Sequence, residues 1–201
     1  RVRGQIPIGY RVGGTAICGL ALIDAPGYDD DAPRQAAVRR AIQFVCAGID
    51  HPLMSVKDYD AGYDVRGWGY TYGALFLLEL QRERRLPPDL APDADKALAF
   101  YLDALEQTQI PSVGGWNYAR PQGRETEASP SSFMTAATVQ TLLAAKAAGR
   151  EVNAPTLERA LAFLEKTRYA SGAVAYAGTV PEGRQPRGTS DAVPGAVGRM
   201  C

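Results

Sequence analysis

An internal repeat restricts this chain's fold more than any other feature. Three segments share a basic residue, alanine, an aliphatic residue, any residue and phenylalanine. They are Arg40-Ala41-Ile42-Gln43-Phe44, Lys96-Ala97-Leu98-Ala99-Phe100 and Arg159-Ala160-Leu161-Ala162-Phe163. Their phenylalanines lie 56 and 63 residues apart. A second marker follows each: Gly67-Trp68-Gly69-Tyr70, Gly115-Trp116-Asn117-Tyr118 and the worn copy Gly172-Ala173-Val174-Ala175-Tyr176. Ordered recurrence at this period marks a repeat array, in which one unit cannot bury its apolar face alone and neighbours must stack. The central copy is clearest. Residues 96–118 read as a helix that stops at a glycine turn carrying an outward-looking tryptophan.

Each unit reads as helix, Gly-aromatic turn, helix. Residues 1–12, with Pro7 and Gly9, read as an extended lead-in, and Thr15 to Ile23 as a helix apolar nearly all round. A helix of that kind is buried on most sides. Amphipathic helices are expected over 33–49, 92–109 and 154–168, and apolar ones over 68–84 and 131–148. Asp29-Asp30-Asp31 before Pro33, and Pro92-Asp93-Ala94-Asp95, read as acidic helix starts that complement free N–H groups and the dipole. A short extended piece is expected at 173–176, and 191–201 as the opening of a fourth inner helix. Apolar helices belong inside and amphipathic ones outside. The expected fold is therefore all-α: a single domain, an α/α toroid (partial α/α barrel) of three and a half helix-pair repeats. The repeats run about 13–67, 68–130 and 131–190, with a fourth starting at 191–201.

Charge excludes some classes of partner. Twenty-two basic and 22 acidic residues cancel, leaving no electrostatic footprint for nucleic acid. Eighteen Arg against four Lys, with abundant Ala and Pro, fits a GC-rich bacterial genome. Cys18, Cys46 and Cys201 are an odd count without tight spacing, which argues against a disulfide scaffold. Cys18 and Cys46 sit among apolar residues and read as buried thiols. No stretch reaches the roughly 20 apolar residues of a membrane span, and no signal-peptide core is visible. A start at Arg1 and an end at Met200-Cys201 suggest a portion of a longer or processed chain.

Two constellations could carry chemistry. Asp58, Asp60 and Asp64 share a loop with Tyr59, Tyr63 and Arg66. Spaced carboxylates suit general acid/base work or calcium ligation, and a solvated loop with Asx-turns explains them as well. The aromatic set is Trp68, Tyr70, Tyr72, Trp116, Tyr118 and Tyr176. Facing a cavity, these rings would stabilise a cation or line an apolar ligand; alternatively, Trp68 and Trp116 pack between helices. Tyr70 and Tyr72 open an inner helix and are the stronger cavity candidates. Glu79 either faces the cavity or marks a helix end, and His51 is a ligand, an acid–base group or a surface residue.

The repeat resembles that of the terpenoid cyclase and protein prenyltransferase superfamily, whose glutamine-tryptophan motif is matched by Lys96, Ala97, Phe100, Gln107 or Gln109, Gly114 and Trp116. The first copy keeps Arg40, Ala41 and Phe44 without a glutamine. The third keeps Arg159, Ala160 and Phe163, with Val174 in place of tryptophan. More narrowly, the turn and its Ala-rich helix look like bacterial proteins with prenyltransferase and squalene-oxidase repeats. The resemblance covers about residues 13–201 and implies the α/α toroid. The family's catalytic strings are missing: neither the Asp-x-Asp-Asp acid motif nor the Gly-Cys-Gly-Glu-Gln thioester string occurs, and a single histidine leaves little for the family's Asp/Cys/His zinc site. The resemblance therefore implies a degenerate, non-catalytic repeat protein without a cofactor, binding an apolar or isoprenoid small molecule or a protein partner. One alternative is an active cyclase or prenyltransferase with its catalytic residues outside this chain. The other is a carbohydrate-active α/α barrel of the polysaccharide lyase type.

Overall fold

A computed structural model describes residues 6–57, 64–117 and 129–184. Within them the chain is all-helical, with isolated bridges Arg168–Val174 and Ser131–Ala177 as the extended pairing. The helices are α1 (Ile8–Asp24), α2 (Ala32–Ala47), α3 (Arg66–Arg82), α4 (Ala91–Thr108), α5 (Ser132–Ala147) and α6 (Ala154–Glu165). Short 3₁₀ turns occupy Tyr28–Asp30, Gly48–Asp50, Pro52–Met54 and Pro88–Leu90.

The lead-in expectation fails at residues 8–12, which are helical. Pro7 pre-sets the φ suited to a helix start, and its carbonyl accepts from Arg11 N–H at 3.1 Å. Gly9 does not break the helix. A Cβ there would lie 2.4 Å from the Val65 carbonyl oxygen, so the glycine lets α1 lie directly on α3. Gly13 does the same one turn later, where a Cβ would sit 2.8 Å from the Trp68 carbonyl oxygen. Glycine in a helix interior costs about 1 kcal/mol relative to alanine, so α1, with four of them, depends on this packing.

α1 packs most extensively on α3, and α3 in turn on α5. The α3–α5 seam is polar but satisfied: the Thr71 and Thr138 hydroxyls lie 2.9 Å apart, and Thr141 donates to the Thr71 carbonyl. α2 packs on α1, α4 on α3 and α6 on α5, and α2 also meets α4. Between the rows lies the core, with Ile42, Tyr70, Phe76, Leu77, Leu98, Tyr101, Leu105 and Phe163 all buried. Tyr70 donates to the Met54 carbonyl at 2.7 Å and Tyr101 to the Val45 carbonyl at 2.6 Å, so both hydroxyls are paired inside.

Asp31 caps α2 as expected, its carboxylate accepting from Arg34 N–H at 2.9 Å. The second acidic start holds in part: Asp93 lies in the first turn of α4, where it complements the dipole, but the N-cap residue Leu90 gives no side-chain cap, and Asp95 takes bonds from Gln81 and Arg150. Cys46 is buried, and burial pushes its thiol up to about 11. Cys18 is exposed, contrary to expectation, because it lies off the α1–α3 seam.

Trp116 is not outward-looking. It is 2% exposed, and its indole Nε1 donates to the Leu105 carbonyl at 2.9 Å. Gln109 locks the same turn. Its amide Nε2 donates to the carbonyls of Gly114 and Thr156, both at 2.7 Å, while Oε1 accepts from Arg159 Nη2 at 2.6 Å. Gly114 has φ +86°, and a Cβ there would meet the Arg159 carbonyl at 2.7 Å. Glutamine, glycine, tryptophan and the arginine of the next copy thus form one joint between α4 and α6. Gln107, the alternative match, only reaches Asp103.

Candidate ligand-binding face

Helical spacing sets one stripe of α3 apart. Trp68, Tyr72, Leu75 and Glu79 fall at i, i+4, i+7 and i+11, hence on one face. All four are half-buried, whereas their neighbours Tyr70, Ala74, Phe76, Leu77 and Leu78 are buried. Tyr10, Gly14, Ile17 and Ala21 of α1 have the same spacing, and all are exposed. The stripes lie side by side: Tyr10 and Trp68 have ring centroids 6.1 Å apart, and Ala21 shares a groove with Leu75 and Glu79. Trp68 stacks on Tyr72 at 5.7 Å with 20° between planes. Burial holds the Tyr72 hydroxyl above the usual phenol range, so it stays neutral at pH 7. Phe133 of α5 and Tyr176 form a further aromatic pair at 5.1 Å.

The stripe is about 16 Å long at 1.5 Å per residue and ends in a groove of about 540 Å³. That volume falls within the range of small-molecule sites. Leu20, Ala21, Ile23 and Leu75 supply its apolar wall, and Asp24, Glu79, Glu83, Arg82 and Arg85 its polar rim. The stripe is therefore aromatic at the N-terminal end of α3, aliphatic in the middle and charged at the C-terminal end.

The structure separates the sequence candidates. Trp68 and Tyr72 share the stripe. Tyr70 and Trp116 lie in the core with their polar atoms paired inside. Asp64 is 8% exposed and forms a buried ion pair with Arg66, Nη2 to Oδ2 at 2.6 Å. Arg66 also donates to the Ser55 and Lys57 carbonyls, so this pair ties the 51–57 segment to the start of α3. Asp58, Asp60 and Tyr118 lie outside the described residues. His51 Nδ1 accepts from Leu53 N–H at 3.1 Å and caps a 3₁₀ turn. Glu79 reaches the groove but is ion-paired with Arg82 at 2.5 Å.

Tyr10 was missed because the expected α1 starts seven residues late, and Ile17, inside the expected helix over 15–23, because a segment apolar nearly all round shows no separate face. Run from Ile8, the i, i+4, i+7 pattern would have shown them. Asp24, Glu83 and Arg85 were missed because helix ends more than 50 residues apart in sequence meet only in three dimensions. No family model, curated protein or solved structure matches the chain.

Proposed function

We propose that this chain is a non-catalytic α/α toroid segment of the squalene-cyclase and prenyltransferase type, and that it holds an elongated apolar ligand of isoprenoid kind along its inner face. The α1–α3–α5 row is the inner wall in this reading, and α2, α4 and α6 are the outer wall. One observation carries the reading. The exposed stripe of α1 and the half-buried stripe of α3 beside it are not polar, as a solvated helix face would be, but carry Tyr10, Ile17, Trp68, Tyr72 and Leu75, with Trp68 and Tyr72 resting one side of their rings on the core. Apolar area removed from water contributes about 25 cal/mol per Å², enough for such a stripe to retain a polyisoprenyl chain without specific polar contacts. Glu79, the one carboxylate of the stripe, is engaged by Arg82 rather than presented along the aromatic end, which favours binding over cyclisation. A sugar platform fits less well, because Trp68 is stacked on Tyr72 and tilted against Tyr10 rather than lying open.

The test is calorimetric titration with farnesol. Wild type is expected to bind. The double variant Trp68→Ala, Tyr72→Ala is expected to bind at least tenfold more weakly while still unfolding cooperatively. Equal affinity in wild type and variant removes the stripe from the function.

A further inference from the structure

The groove at the end of the stripe selects the ligand's head group. The inference rests on the proposed binding of an apolar chain along α1 and α3. Three carboxylates, Asp24, Glu79 and Glu83, line the groove against two guanidinium groups, Arg82 and Arg85. Both arginines are committed. Arg82 pairs with Glu79 at 2.5 Å and with Glu83 at 2.9 Å. Arg85 donates to the Ile23 carbonyl, pairs with Asp29 at 3.3 Å and lies 4.6 Å over the Tyr28 ring. Asp24 forms no close ion pair among the described residues; Arg82 attracts it only as a longer-range third carboxylate, after Glu79 and Glu83.

The backbone adds charge of the same sign. α1 ends at Asp24 and α3 at Arg82, so two helix C-termini, each the negative end of its dipole, meet at this groove. Carboxylates at a helix C-terminus oppose helix stability. Asp24 and Glu83 are both placed that way, and an incoming cation would relieve the repulsion. An anionic head would meet the reverse: two occupied guanidinium groups, a surplus carboxylate and two negative dipole ends.

We propose that the groove takes a protonated amine at the end of an apolar chain and disfavours a diphosphate. The apolar part lies over Leu75, Tyr72 and Trp68, and the ammonium sits between Asp24 and Glu83. A primary alkylamine, like a lysine side chain, is protonated at neutral pH, and charge-assisted hydrogen bonds to carboxylates are the stronger kind.

Farnesylamine, farnesol and farnesyl diphosphate share one chain and differ in head group. They are titrated into the full chain at pH 7 and moderate ionic strength, with Asp103→Asn on α4 as a charge control outside the groove. Farnesylamine is expected to bind at least tenfold tighter than farnesol, and the diphosphate more weakly than farnesol. The double variant Asp24→Asn, Glu83→Gln, at exposed positions, is expected to abolish the amine preference while keeping farnesol affinity; Asp103→Asn is expected to retain it. If farnesol binds but the amine gains nothing, the diphosphate binds tightest, or the preference survives the double variant, the head-group assignment is overturned and the apolar stripe stands. If none of the three binds, the stripe reading falls and the head-group assignment falls with it.

Discussion

At the scale of single residues, the sequence motif marks structural joints more than ligand contacts. Gln109 is the clearest case. Replacing it with leucine leaves the Gly114 and Thr156 carbonyls without their donor and Arg159 without its acceptor. Buried polar groups left unpaired cost about 1–3 kcal/mol each. Gln109→Leu is therefore expected to lose about 2–4 kcal/mol in denaturant unfolding, whereas Gln107→Leu, on the surface, loses little. Trp116 behaves similarly, as the packing alternative in the sequence reading had it: the turn's tryptophan is a wedge held by the Leu105 carbonyl. Tyr70, a strong cavity candidate from sequence, is core for a reason no periodicity shows. Its hydroxyl finds the Met54 carbonyl, which allows a polar ring to be buried. Asp64 looked like a loop carboxylate, and only the fold brings Arg66 around to bury the pair.

At the scale of elements, the helices were largely legible because their patterns are strong and their punctuation is plain. Asp31 starts α2 and α5 ends beside Gly149, whereas α3 ends at Arg82, five residues before Pro87, where Arg84 takes a positive φ. The start of α1 was not legible. Pro7 and Gly9 suggest a break by propensity, and the close approach of α3 that overrides it is a tertiary fact. Adjacent glycines separate the two effects. A Cβ at Gly13 would lie 2.8 Å from the Trp68 carbonyl oxygen, while Gly14 has nothing within 4 Å. Gly13→Ala is expected to destabilise by about 1–3 kcal/mol through overpacking. Gly14→Ala is expected to stabilise by up to about 1 kcal/mol through helix propensity. Thermal unfolding of the two variants side by side reads the sign directly. If both stabilise, α1 does not pack against α3 through its glycines.

At the scale of the whole molecule, all-helical architecture followed from the repeat, but the candidate site did not. The stripe and its groove combine α1 residues with α3 residues across a seam the sequence does not announce, and their polar end exists only where two helix termini converge. The central claim is that a ligand lies along this face and leaves the core alone. The chain's two tryptophans suit that test, because Trp68 is on the stripe and Trp116 is buried. The most direct measurement is fluorine NMR of protein labelled with 5-fluorotryptophan, titrated with farnesol and assigned with Trp68→Phe. The Trp68 resonance is expected to move and saturate while that of Trp116 stays in place. A shift of Trp116 alone, or no shift of either at saturating probe, would contradict the account.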